Sequence, residues 1–574
     1  MQSCFAFSYL ISFIDLLHSR LLLREIEDFY QHPEAVSFAW LAQLFAMIAS
    51  SILCSEFWAS RPYGNNSGEV SATLAIKQAS RYHVISGWAI VASRYRLHIS
   101  RETLTAFVLY IEYDYFNSPT THASSYFTFG ILMRLMLKMG MHRDPDVHGL
   151  PDFEGEMRRR LWATACHMDL TVSFLSGLPS VASSVESDTR MPINIVDDDW
   201  WDFELNGVAH LPLPPALPLA QATPLQYALC KGFLMRQFGR TAALSHRIVP
   251  PTHDAVMDLE SGISHAWDSI PADLKHNPLV KTPSDPPLTI VYRVKLALVF
   301  HKTRCVLHRP YLADPSPLSV HDVSRQACLD SALALLNILI EIFDQVTPGG
   351  KFHPYGYLLI SQSSHDFLLA AMMLYLVLQN EHAGVPDEWR RGVPEQKRKS
   401  SDEMMALLHR VRDIWHTTST KVPKITKPVE IMTGIMAKLA AARQIVKSEP
   451  IVYEFDSHHQ QPQQPQQHHH QLRHADYQSP PIKTRQHQHQ QQHPQQHPQQ
   501  QSNYTVSLCS EVAPSMGDMC YQSDNMPYQS TAASITATVP PVLQTPPSYS
   551  IPMTQLGQVP VTGKPSNLVC VAFC

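Results

Sequence analysis

Lys138-Met139-Gly140-Met141-His142-Arg143-Asp144-Pro145, followed by Glu156-Met157-Arg158-Arg159-Arg160-Leu161-Trp162, is the stretch that decides how this chain folds. Just upstream, Phe129, Leu132, Leu135, Met136 and Met139 recur at three- and four-residue intervals. That spacing lines one face of an α-helix, so a helix is expected over residues 126–139. Gly140 stands where a left-handed C-terminal cap belongs. His142 and Arg143 leave the helix end near its exposed carbonyls, where cationic donors are favoured, and Pro145 prevents continuation.

A second helix is expected over residues 154–176, acidic in its first turn to suit the dipole and stopped by Gly177 and Pro179. Met157, Leu161, Ala165 and Met168 make one apolar stripe on it, so Arg158, Arg159 and Arg160 must point in different directions. At least one is expected to reach carboxylates or carbonyls near the Asp144 loop rather than nucleic acid, because three cations make a small footprint. Asp169, further along the helix, is an expected internal partner. His142-Arg143-Asp144 also matches the catalytic-loop tripeptide of protein kinases, but position 149 is glycine where that loop needs asparagine, and the glycine-rich and D-F-G motifs are absent.

Outward from this block the same periodicity continues. Helices are expected to begin at 39–47, then over 104–113, 226–246, 251–270, 288–307, 358–379, 402–417 and 429–445, with no strand alternation. Residues 320–345 are apolar nearly all round, which predicts a central buried helix. The fold class is therefore all-α. Glycine is scarce (21) and proline plentiful (44), which disfavours nucleotide-binding α/β folds. The apolar runs at 332–343 and 367–378 are too short to span a bilayer, so no membrane association is expected.

Composition changes abruptly after about residue 447. Residues 458–501 are almost wholly Gln, His and Pro, and 502–574 are rich in Ser, Thr, Pro, Gln and Tyr. Such a tract buries too little apolar area to offset its conformational entropy, so the chain divides into a helical body, 1–447, and a disordered tail, 448–574.

Chemistry-bearing motifs are few. The ten cysteines include no C-x-x-C pair, and Cys166, Cys305 and Cys328 are expected as small core residues in a reducing compartment. Asp197-Asp198-Asp199, beside Trp200-Trp201, is expected to be a solvated acidic face rather than a metal site. Neither a G-x-S-x-G elbow, an H-E-x-x-H helix nor a phosphate loop occurs, so no enzyme is expected. The net charge of −5 gives no basic footprint for nucleic acid. Arg390, Arg391, Lys397, Arg398 and Lys399 bracket a polar loop; they are either solvated charge or a nuclear import signal.

The motifs together resemble the middle homology region of fungal binuclear zinc-cluster transcription factors, a helical regulatory domain carrying "GLHRDP…RRRLWW". Residues 138–145 and 156–180 are similar to its most diagnostic block, with Gly140, His142, Arg143, Asp144, Pro145, Arg158, Arg159, Arg160, Leu161, Trp162, Asp169, Gly177 and Pro179 at matching positions. Residues 37–50 resemble its early helix and 191–199 its acidic strip. His308, Arg309 and Pro310 stand within a segment like "LHRPFL"; Ser324 and Cys328 precede a long apolar helix, and 407–415 looks like the closing helix. Ala163 replaces the second Trp of "LWW".

The resemblance implies a nuclear, DNA-binding regulator of transcription, often of a secondary-metabolite gene cluster. It also implies partners: DNA directly or through another factor, the transcription machinery, a second subunit as homo- or heterodimer, and a small effector in an apolar pocket between helices. The Gln/Pro-rich tail would be the activating segment. The family's six clustered cysteines are not among the ten here, so its zinc ligands transfer to no residue, no cofactor is expected in this chain, and the regulatory domain is expected to begin almost at once. A DNA-binding-deficient co-regulator that dimerises with or titrates a complete factor is the alternative, and a helical enzyme with an unrecognised site a more remote one.

Overall fold

A computed structural model describes residues 16–448 apart from 59–66, 118–122, 203–206, 208–210, 276–278, 281, 283, 314–318, 347–349, 353–355, 383–398 and 423–425. The described residues form helices joined by loops, and a lone antiparallel bridge between Asp202 and Gly207 is their only strand-like pairing. Of the tail only Ser448, and of the basic loop at 390–399 only Lys399, is among them.

The helices are α1 (Ser19–Gln31), α2 (Phe38–Trp58), α3 (Ser67–Ala92), α4 (Arg101–Asn117), α5 (Ala123–Lys138), α6 (Asp152–Ser176), α7 (Gln226–Ser245), α8 (His253–Asp268), α9 (Pro287–Ala313), α10 (Asp322–Asp344), α11 (Gly356–Gln362), α12 (Ser364–His382), α13 (Ser401–Lys421) and α14 (Lys427–Ser448). Three apolar cores connect them. The first joins α1, α2, α4, α5 and α6 through residues such as Phe107, Leu132, Met136 and Trp162. The second gathers α7, α8 and α9 around Phe238 and Ile263. The third wraps α10 with α9, α12, α13 and α14. Helix α9 contributes to both of the last two, so it ties the halves together.

Helix α10 is long and apolar enough to cross a bilayer, yet 56% of its most apolar window is buried against its neighbours. It is the central core helix that its all-round apolar sequence predicts. Two expected boundaries move. The helix expected over 358–379 is broken at Ser363 into α11 and α12. Helix α9 runs on past 307 through Pro310, because only one last turn follows the proline ring.

Helices α1 and α3 have no counterpart in the sequence reading. The buried face of α3 is Ala79, His83, Ser86, Gly87 and Ile90, too polar and too small to show as an apolar stripe. Those small residues let helices approach closely: Ser86 Oγ donates to the Ala42 carbonyl at 2.8 Å, and a Cβ on Gly87 would lie 3.0 Å from the Tyr110 ring.

Candidate functional site

The corner between α5 and α6 begins with Gly140, whose φ of 75° only glycine adopts without strain. Gly140 N–H donates to the Leu137 carbonyl and Met141 N–H to Met136, both at 3.0 Å, which ends α5 as a Schellman cap. Asp144 then caps a short turn, Pro145–His148, by accepting from Asp146 N–H at 3.2 Å. Gly177 ends α6 in the same way, with φ 68° and Leu178 N–H on the Ser173 carbonyl at 2.9 Å.

The three consecutive arginines go three ways. Arg158 pairs with Glu154 at 2.9 Å, and Glu154 also takes Arg101 at 2.9 Å. Arg159 reaches back to the corner, donating from Nη2 and Nε to the two Asp144 oxygens at 2.7 and 3.1 Å. Arg160 points into the protein; its side chain is 1% exposed, with Nε 3.3 Å from Glu156 and Nη2 2.9 Å from Asp197. Leu161 and Trp162 are buried in the first core.

A strand-like segment after α6 laces the corner shut. Arg190 donates to Asp144 from its backbone N–H and its guanidinium, and also pairs with Asp146. Asp188 accepts from Asp144 N–H at 2.7 Å and Arg143 Nε at 2.9 Å. Ser187 Oγ caps the His142 carbonyl at 2.9 Å and Thr189 Oγ1 the Met141 carbonyl at 2.8 Å. With Arg159 and Arg190 on it, the Asp144 carboxyl lies well below the usual carboxylate range; Asp188, holding the Asp144 amide and Arg143, is lowered too. Burial instead raises Glu156 against the pull of Arg160.

The acidic strip closes the other side. Trp200 is fully buried, and His18 at the head of α1 stacks on Trp201 at 5.7 Å. Arg20 of α1 pairs with Asp198 at 2.8 Å.

Several expectations need correcting. Asp169 takes no arginine; it accepts from Ser180 Oγ at 2.7 Å and Ala182 N–H at 3.0 Å, fastening the loop after α6 beside Pro179. Arg143 serves Asp188 rather than the carbonyls of α5, which the glycine cap already occupies. Asp197 is turned inward onto Arg160, whereas Asp198, paired with Arg20 at the surface, and Asp199 are exposed as expected. Arg190 and Asp188 were missed, since nothing local in the sequence marks a residue whose partner lies more than forty positions away.

The second motif cluster is separate. His308 of α9 is fully buried with Nε2 3.1 Å from Glu260 of α8, which also accepts from Arg304 Nε at 2.8 Å. Burial would raise Glu260, but His308 and Arg304 outweigh it and its carboxyl lies below the ordinary value. Arg309 is half-buried and Pro310 exposed on the last turn of α9. Lys399 pairs with Glu403 at 3.3 Å on the surface. Arg390, Arg391, Lys397 and Arg398 lie outside the described residues. Cys305 and Cys328 are buried free thiols as expected, whereas Cys166 is only half-buried. Among the described residues no three His, Cys, Asp or Glu side chains converge as metal ligands.

Beside Arg160, between α6 and α7, lies a recess of about 430 Å³ counting its open mouth, with Met191 and Pro192 also lining it. It is not apolar throughout, because His167 and Lys231 also line it.

Residues 7–257, which contain the whole corner, match the fungal specific transcription factor domain. The chain carries that domain. Over those residues and in its motifs the chain resembles the fungal zinc-cluster transcription factors. It is similar to the "Fusarisetin A cluster transcription factor fsa6" of Fusarium sp. (strain FN080326), 30% identical over 74% of this chain and 55% of that protein. It is 29% identical to the "Equisetin cluster transcription factor eqxF" of Fusarium heterosporum, over 74% of this chain and 59% of that protein. A third, the "Zn(2)-C6 fungal-type transcription factor mpsB" of Macrophomina phaseolina (strain MS6), is 27% identical over 74% and 55%. The chain thus spans little more than half the length of these curated relatives. No solved structure matches it. The transcription factor domain as seen here is a helical body whose diagnostic motif builds a corner of ion pairs, not a catalytic constellation.

Proposed function

We propose that the protein is a nuclear regulator of transcription acting on a fungal secondary-metabolite gene cluster. The observation that carries this reading is the shared domain together with relatives, named as cluster transcription factors, that align over 74% of the chain. In this reading the helical body is the regulatory and dimerisation module and can take a small effector between its helices. The Gln/Pro-rich tail contacts the transcription machinery through short segments, and Arg390, Arg391, Lys397, Arg398 and Lys399 assist nuclear entry. DNA is reached through the protein's own reader or through a partner factor.

The test is deletion of the gene in its host, with transcripts of the biosynthetic genes around it measured in deletion and complemented strains. Coordinated loss or gain of those transcripts, restored by the full gene, supports the reading; unchanged transcripts overturn it. Removing residues 451–574 from the complementing copy is expected to abolish the restoration, and full restoration would refute an activating tail.

A further inference from the structure

The outward face of α3 carries positive charge and large apolar groups together. Across residues 70–101, in a chain whose net charge is −5, Lys77, Arg81, Arg94, Arg96 and Arg101 occur without a single Asp or Glu. Leu74, Lys77, Arg81, Ile85 and Trp88 recur at three- and four-residue intervals, which sets them on one stripe of the helix. His83 and Ser86, on the opposite side, bond to the Tyr110 carbonyl of α4 and the Ala42 carbonyl of α2. The stripe therefore faces solvent: Leu74, Lys77 and Arg81 are exposed and Trp88 is 60% exposed.

Two observations show that these cations do not serve the chain's own packing. Arg158, Arg159 and Arg160 each meet a carboxylate, whereas the side chains of Lys77, Arg81 and Arg94 have no hydrogen-bond or ion-pair partner among the described residues. Arg94, just past the end of α3, is also the only described residue other than glycine at positive φ, 53°. Glycine or asparagine takes that conformation with less strain, and strain held with no partner inside the fold points to a role outside it. Val91 and Leu97, which flank Arg94, are exposed as well, Leu97 by 72%.

The interleaving narrows the partner. Lys77 and Arg81 stand between Leu74 and Trp88 on the same stripe, so a bilayer would have to bury the cations with the apolar groups. Three unpaired cations make a small footprint for a phosphate backbone, which would also leave Leu74, Trp88 and Leu97 without a role. The α3 of a second copy would set cation against cation. An acidic amphipathic helix offers carboxylates and aliphatic groups at the same three- and four-residue spacing, and so matches both halves of the pattern.

We propose that α3 and the corner after it form a docking surface for an acidic amphipathic helix of a partner protein. Leu74 and Trp88 are its apolar anchors, and Lys77, Arg81 and Arg94 meet the partner's carboxylates. The proposal does not depend on the transcriptional reading above.

The experiment pans a phage-displayed random peptide library against the full chain and measures synthetic copies of the enriched peptides by fluorescence anisotropy. Enriched peptides are expected to carry Asp or Glu at three- and four-residue intervals among Leu, Ile or Phe. Trp88→Ala should weaken them about tenfold or more. Arg81→Glu should weaken them about tenfold and flatten the salt dependence seen with the wild type. Both side chains are exposed, and melting curves check that each variant folds; Lys77→Glu replaces either that does not. Phosphatidylserine vesicles, duplex DNA and sedimentation of the chain alone are run alongside. Enrichment of peptides lacking acids, acidic peptides bound equally by all variants, or a surface that takes only vesicles, DNA or a second copy would each overturn the proposal. None of these results bears on the transcript measurements, so the two readings fail separately.

Discussion

In the corner between α5 and α6 the buried side chains are Arg159, Arg160, Asp144 and Glu156, whereas around α10 they are Leu335, Leu336, Ile338, Leu339 and Ile342. Both regions exclude water, by opposite means. The apolar layer gains roughly 25 cal/mol for each Å² it hides and cares little which aliphatic residue does so. The corner must repay the desolvation of every charge, so each partner has to be present and correctly placed. That contrast explains why a short motif identifies the corner while the α10 layer shows only periodicity. It also says where the domain is brittle: one missing charge strands another, whereas one missing methylene leaves only a void.

The largest effect should come from Arg160→Leu, which leaves Glu156 and Asp197 buried without their cation. Loss of one partner from such a group costs about 3–5 kcal/mol, read by chemical denaturation; adding Glu156→Gln should recover part of it. A loss below about 1 kcal/mol would remove the contrast with the apolar layer. Leu335→Ala, at a fully buried position in α10, should cost about 2–5 kcal/mol by the cavity it opens.

Acid should separate the regions more cleanly. Asp144 and Asp188 titrate lower in the folded protein than in the unfolded chain. Their contribution is therefore complete above the unfolded carboxylate value of about 4 and is lost as pH falls below it. The stability difference between wild type and Asp144→Asn should shrink on acidification below about pH 4, while the deficit of Leu335→Ala stays constant. A pH-independent Asp144→Asn deficit would show that the carboxylate's charge is not what holds the corner. The smallest effect expected is Gly177→Ala. Nothing lies near its Cβ position, so only the left-handed backbone at φ 68° is penalised, by about 1–2 kcal/mol.

Much of this was legible in sequence because it is local. The 3.6-residue spacing before Gly140, the glycine caps at 140 and 177, and the divergence of Arg158, Arg159 and Arg160 all follow from positions within a few turns of one another. Helix α3 was not legible, because its buried face of Ala79, His83, Ser86 and Gly87 carries no apolar signal until α2 and α4 are packed on it. Asp169 was misassigned because an acid on a helix near arginines looks like their partner, while the loop that claims it, at Ser180 and Ala182, has no charge to announce itself.

The sequence alone determined the helical class, the ends of α5 and α6 and the family resemblance, since those depend on periodicity, backbone conformation and residue identity along the chain. Apart from the i,i+4 pairs Glu154–Arg158 and Glu156–Arg160 within α6, only the tertiary structure decided which acid meets which arginine. Charges act through space, and Arg190, Asp188 and Asp197 reach Asp144 and Arg160 only after the segment following α6 turns back over it.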